Sequence, residues 1–278
     1  MTTRDTPEAA ARTDFGARRD AWRAYTTSPW GRIRYAVVAH TLRHSLSGLD
    51  PADGGPGLRV LDVAGGDGLD ALPLARAGHR VTVLDAAPDL LADAAAAAAE
   101  SGVPLTCLEA GVDDLPTLGL PPFDVVLCHF LLHYRDDPAH TLALPAAAVR
   151  PGGLLSLTAP NQASEALVRA ARLLDPAGAL AALTETTQHG VTFAADTRWV
   201  DADETAQQLR HLGFDAVVRY GIRTVTDLVA DDARKHEPAF YADLERLELA
   251  LCDREPYVRT ARMWQLVARR AARPSSGG

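Results

Sequence analysis

The chain has 278 residues, 47% of them apolar and 23% charged, with a formal net charge of −8. That length suits one large α/β domain with a substantial core, and no apolar run approaches the ~18 residues that would span a bilayer. The acidic total argues against a general nucleic-acid binder, although the segment from Arg259 to Arg273 is strongly basic.

The polar N-terminus has no signal-peptide hydrophobic region, and Cys107, Cys128 and Cys252 are scattered without metal-ligand spacing. This predicts reduced thiols in a cytoplasmic protein. Residues 1–13 read as a disordered leader and 274–278 as a disordered tail. A single domain is expected over 14–273, opening with helical segments over 14–49 that break near Ser28-Pro29 and serve as a lid.

Strands and helices then alternate. After the turn PADGGPG, strands are predicted at 58–63 and 80–85, with an Ala-rich helix at 88–102 that stops at Gly102. Further strands are expected at 104–110, 123–129 and 154–160, the last preceded by a helix over 138–149 and a turn at Pro151-Gly152-Gly153. Strands separated by helices imply a doubly wound, mostly parallel sheet. Residues 161–200 interrupt the alternation and predict a helical insertion capping the site. A helix at 203–214, a strand at 215–225, a helix from Pro238 and a closing strand at 260–270 complete the chain.

The chemistry concentrates in VLDVAGGDG and the strand ending on Asp85. Gly66-x-Gly68-x-x-Ala71, with an acid about 20 residues on, satisfies the dinucleotide fingerprint. A site for S-adenosylmethionine would look nearly the same. The acids Asp62 and Asp67, beside Gly65, Gly66 and Gly68, would repel a pyrophosphate but favour an ammonium, which tips the balance toward the sulfonium compound. Asp85 is placed to accept from both ribose hydroxyls of either cofactor. In EAGVDDLP, Asp113 is a candidate for the adenine amino group, with Gly111 and Val112 lining the base; loop capping by Asp113 or Asp114 competes with that role. His129 and His133 are four apart, but no third ligand completes a metal set.

The ordered set of turn, strand-two acid, post-strand-three acid, FDVVLCH strand and VRPGGLLSL resembles the Rossmann-like S-adenosylmethionine-dependent methyltransferases. That resemblance implies a seventh, antiparallel strand, for which TARMWQLVARR is placed. The stretches WGRIRYAVV, LRVLDVAGGDG, FDVVLCHFLLHYRDDP and EPYVRTARMWQLVARR are similar to the bacterial tRNA carboxymethoxyuridine methyltransferase family, whose members esterify the carboxylate of a modified wobble uridine. The resemblance implies cofactor contacts from Arg34, Gly65, Gly66, Asp85, Gly111, Val112 and His129. The chain departs from the pattern at Ala64, where a third glycine is usual, and at Gly111-Val112, where a small residue and a glutamine are expected.

A carboxylate acceptor is ionised at neutral pH and needs no base, but it does need a cationic clamp. Arg198, Arg223 and Arg32 are the candidates, with Tyr35 and Tyr257 as hydrogen-bond donors; His129 is a candidate for positioning or for a base. The competing expectations are a soluble metabolite as acceptor, a nicotinamide-dependent dehydrogenase, and a cofactor-binding module without catalysis.

Overall fold

The computed structural model describes residues 19–190 and 195–272. The leader and tail expected from the sequence lie outside the described residues.

The N-terminal helices are α1 (Arg19–Thr27) and α2 (Pro29–Leu46). They separate where the sequence places a break. Ser28 is extended, its Oγ accepts the Gly31 N–H at 3.1 Å, and Pro29 occupies the first helical position, where its missing donor costs nothing. There follow β1 (Arg59–Val63), α3 (Leu72–Arg76), β2 (Arg80–Asp85), α4 (Pro88–Glu100), β3 (Thr106–Glu109), β4 (Phe123–His129), α5 (Pro138–Ala148) and β5 (Val149–Pro160). The insertion contributes α6 (Gln162–Leu167), continued by a π turn over Val168–Arg172, α7 (Pro176–Ala182), β6 (Thr187–Gly190) and β7 (Ala195–Arg198). The chain then forms α8 (Ala202–His211), β8 (Phe214–Ile222), α9 (Pro238–Leu251), α10 (Tyr257–Thr260) and β9 (Met263–Arg270).

Seven strands form one sheet in the order β3-β2-β1-β4-β5-β9-β8, parallel except for β9, which runs antiparallel to both neighbours. Central β4 is buried at all seven positions, as expected for a strand covered by helices on both faces. Alternate side chains divide between two cores. Val60, Val83, Val125 and Leu127 pack under α2 and α9. Leu61, Val126, Cys128 and Leu157 pack under α5 and α8.

The structure corrects the sequence reading in two places. Strand five begins at Val149 rather than 154, because Pro151-Gly152-Gly153 is a bulge within the strand, not a turn before it. The pairing steps from Phe123↔Val149 to Val125↔Leu154 across it, with Gly152 at φ +74°. The insertion is not wholly helical. Its end forms the antiparallel ribbon β6-β7, whose short polar strands lack the apolar alternation that would have revealed them.

Chain order reverses direction between β1 and β4, since β2 and β3 extend one way and β5 the other. The crevice beyond the carboxyl ends of β1 and β4 is the usual ligand position in such sheets. Both exits carry a non-glycine residue in the left-handed region, Ala64 after β1 and Phe130 after β4, each at φ +55°. Backbone strain of this kind concentrates at functional sites.

Candidate active site

The turn after β1 is shaped by Asp62 and Asp85. A Cβ on Gly65 would stand 2.6 Å from the Asp62 carboxyl carbon, so only glycine lets the turn close over that buried acid. Gly66, at φ +55°, donates its N–H to Asp85 Oδ2 at 2.8 Å, and Asp85 Oδ1 accepts from the Ala87 N–H at 2.8 Å. A carboxylate has about four acceptor positions. Asp85 can therefore fix the turn and still accept from a ribose at the end of β2.

Asp62 is buried, and its Oδ2 has no hydrogen-bond partner among the described residues. Burial raises its carboxyl well above the usual range; Asp70, Asp85 and Asp67 add to the rise while Arg34 opposes it. Burial likewise raises Asp67, against the pull of Trp22, whose indole Nε1 donates to Asp67 Oδ2 at 2.7 Å and ties α1 to the turn. Four carboxylates thus surround the turn against one guanidinium. An electronegative site with an orphaned buried acid fits the ammonium and sulfonium charges of S-adenosylmethionine and opposes a diphosphate.

Arg34 does not reach outward. It forks onto Asp70, NH1 to Oδ1 at 2.5 Å and NH2 to Oδ2 at 2.6 Å, with side-chain exposures of 5% and 9%. His129 Nδ1 lies 2.7 Å from the same Asp70 Oδ2, and its Nε2 is 2.9 Å from Ser156 Oγ. Ser156 in turn accepts from Gln265 Nε2 at 3.0 Å, and Gln265 Oε1 faces Thr41 Oγ1 at 2.7 Å. A buried polar chain therefore runs from α2 through the turn, β4, β5 and β9 back to α2. Both ring nitrogens of His129 are therefore engaged, Nδ1 by Asp70 and Nε2 by Ser156, which fixes the plane of the imidazole. Burial alone would raise Asp70, but Arg34 and then His129 outweigh it and hold the carboxyl below its ordinary range.

Sequence reasoning missed Asp70, Ser156, Gln265 and Thr41. The signal for Asp70 was its place one helical step beyond the glycine turn. The others are short polar side chains on strands or a helix, indistinguishable in sequence from solvent-facing ones.

After β3, Gly111 donates its N–H to Asp114 Oδ2 at 2.8 Å, and Val112 is buried. Asp114 is thus the loop cap, one of the two assignments the sequence left open. Asp113 accepts from Arg135 at 2.6 Å. His133 is buried against Phe130 and Tyr134, and burial drops its imidazole to about 3. No group of three or more potential metal ligands occurs among the described residues.

Comparison with known proteins agrees with this geometry. Residues 60–153 match the family described as "Methyltransferase domain". The tRNA 5-carboxymethoxyuridine methyltransferase of Escherichia coli (strain K12) is 27% identical over 248 residues, covering 86% of this chain and 89% of that protein. The chain is a Rossmann-like, S-adenosylmethionine-dependent methyltransferase. The ubiquinone biosynthesis O-methyltransferase of Caulobacter sp. (strain K31) is 38% identical over 114 residues, 41% of this chain and 45% of that one. The magnesium protoporphyrin IX methyltransferase of Synechocystis PCC 6803, crystallised with bound SAH, superposes with a TM-score of 0.61 at 18% identity, covering 95% of this chain and 100% of that one.

The side chains expected to clamp an acceptor are not brought together in this methyltransferase. Arg32 is exposed and stacks over the Tyr241 ring at 4.1 Å. Arg198 is exposed on β7, and Tyr257 is exposed on α10. Tyr35 lies under Arg34, whose guanidinium sits 4.3 Å from its ring centroid. Arg223 alone reaches a cleft. It follows β8 at φ +61°, is buried, donates from Nε to Asp227 Oδ2 at 2.8 Å and from NH2 to Asp227 Oδ1, and contacts Tyr25 Oη at 3.3 Å. That cleft, of about 140 Å³, is lined by Trp30, Arg172, Arg223, Asp227, Asp232 and Lys235.

Proposed function

We propose that this methyltransferase forms a methyl ester on a carboxylate, with the carboxymethoxyuridine of tRNA as its leading acceptor. Similarity to the tRNA-modifying enzyme supports this because it covers 86% of the chain, whereas the Caulobacter relative covers 41%.

Bound S-adenosylmethionine supplies an electrophilic methyl on a sulfonium sulfur. The chain's own residues do the rest. Asp85 accepts from the ribose hydroxyls while holding the Gly66 and Ala87 amides. Asp62, whose Oδ2 has no partner among the described residues, takes the ammonium end. The backbone of Gly65, Gly66 and Gly68 admits the cofactor closely, and Gly111 and Val112 flank the base, with Asp113 beside them. Asp67 keeps α1 over the turn through Trp22. Arg34 and His129, both locked to Asp70, form the wall facing the methionine end, so their part is orientation. A carboxylate nucleophile has no proton to lose, so His129, with Nδ1 committed to Asp70, is not required as a base. Alignment of nucleophile, methyl and sulfur supplies much of the barrier reduction.

The test uses the purified enzyme with methyl-labelled cofactor and two acceptor pools, tRNA bearing carboxymethoxyuridine and a panel of small carboxylic and phenolic acceptors. Label in tRNA that mild alkali releases as methanol supports the reading. Alkali-stable label on a phenolic hydroxyl refutes ester formation, and base-labile label only on small acids refutes the RNA target.

A further inference from the structure

The cleft beside α1 holds three cationic side chains, Arg172, Arg223 and Lys235, against two carboxylates, Asp227 and Asp232. Lys235 is the only lysine in the chain. It is 1% exposed, and among the described residues its ammonium has one ion pair, at 2.8 Å to Asp232 Oδ1. Asp232 is shared, because its Oδ2 also accepts from Arg172 NH2 at 2.6 Å. Asp227 is committed to Arg223. The Trp30 ring covers the lysine, with Nζ 5.9 Å from its centroid. The adjoining group of Arg169, Arg262, Glu165 and Glu185 is balanced within itself, and the Glu248 carboxylate behind the cleft is taken up by backbone N–H groups, so the lining itself presents three cations against two carboxylates.

The cleft is also rigidly built and joined to the cofactor turn. The Glu248 carboxylate, fully buried on α9, accepts the N–H groups of Thr224 at 2.6 Å, Val225 at 3.0 Å and Thr226 at 2.7 Å, which fixes the loop that presents Arg223 and Asp227. Tyr25 touches Arg223 on one side and stacks on Trp22 on the other, and Trp22 is bonded to Asp67 of the turn.

Resting on the methyl-transfer reading, we infer that this cleft is the specificity subsite for a singly charged oxyanion of the acceptor, a carboxylate, with Lys235 and Arg172 as the discriminating donors and Trp30 as the apolar wall. Lys235 has ammonium donors beyond the one on Asp232, and Arg172 stands at the mouth with its side chain 23% exposed. One negative charge neutralises the cleft, whereas a phosphate monoester would overcharge it.

The unique lysine makes the test direct. Protein labelled with 13C at the lysine ε carbon gives a single side-chain resonance, which is followed during titration with phenoxyacetate, dimethyl phosphate or inorganic phosphate, with and without saturating S-adenosylhomocysteine. The expected result is a saturable shift with phenoxyacetate, weakened at least tenfold by Arg172→Met, with S-adenosylhomocysteine affinity unchanged in that variant. A resonance that none of the anions moves overturns the inference, as does one that answers only to dimethyl phosphate or only to inorganic phosphate. Failure of S-adenosylhomocysteine to bind would sink the methyl-transfer reading instead, while the anion titration still decides the cleft.

Discussion

Replacing Asp70 with asparagine tests the buried polar chain at its most charged point. The wild-type carboxylate receives two guanidinium N–H groups at 2.5 and 2.6 Å and faces His129 Nδ1 at 2.7 Å, and Arg34 is 4% exposed. The substituted amide would still offer one acceptor but would leave the buried guanidinium without a counter-charge. Breaking a buried pair in this way costs about 3–5 kcal/mol. The retained acceptor places Asp70→Asn near the lower end, and ~3 kcal/mol in a domain of this size lowers Tm by about 6–12 °C.

The pH dependence carries a second signature. The Asp70 carboxyl is depressed in the folded state. Its stabilising contribution is therefore complete above the unfolded value, about 4, and is lost as pH falls below that. Urea unfolding at pH 7 and along an acid series measures both effects. Adding Arg34→Met to Asp70→Asn removes the stranded charge, so the double variant should be more stable than the single. A stability of Asp70→Asn within about 1 kcal/mol of wild type, the ordinary range of point substitutions, would refute this account of the pair. So would two substitutions that add without coupling.

Four further outcomes follow from the same geometry. Ala64→Gly relieves a left-handed alanine worth about 1–2 kcal/mol, partly offset by the greater chain entropy of glycine; a net gain of roughly 0.5–1 kcal/mol in chemical denaturation is expected, and a loss would contradict the strain. Trp22→Phe deletes the bond to Asp67, about 1–2 kcal/mol, and should speed amide exchange in α1 roughly tenfold while the sheet is unchanged. Asp85→Ala removes both loop hydrogen bonds and, on the proposed reading, the ribose acceptor, so S-adenosylhomocysteine affinity by calorimetry should fall at least tenfold. His133 is held neutral in the fold, at about 3 against an ordinary 6.5. Its stabilisation is present above pH 6.5 and lost as pH falls toward 3, so His133→Phe should flatten the stability profile across that window.

The order of strands, the glycine turn and the acids at the ends of β1 and β2 were determined by the sequence itself. These features are local: β-branched runs make strands, glycines permit left-handed turns, and Ser28-Pro29 ends one helix and begins the next. The short apolar run over 123–129 sufficed to locate the central strand. Tertiary structure alone decided what the polar residues do. Arg34 is separated from Asp70 by 36 residues, Ser156 from Gln265 by 109, and Thr41 from Gln265 by 224, and no local pattern marks partners so distant. The same holds for Lys235 and Glu248, whose burial no local pattern marks. They are buried because the loop after β8 folds against α9 and the N-terminal helices. A buried charge becomes intelligible only when its counter-charge is in view, and that pairing depends on the packing of elements rather than on their formation.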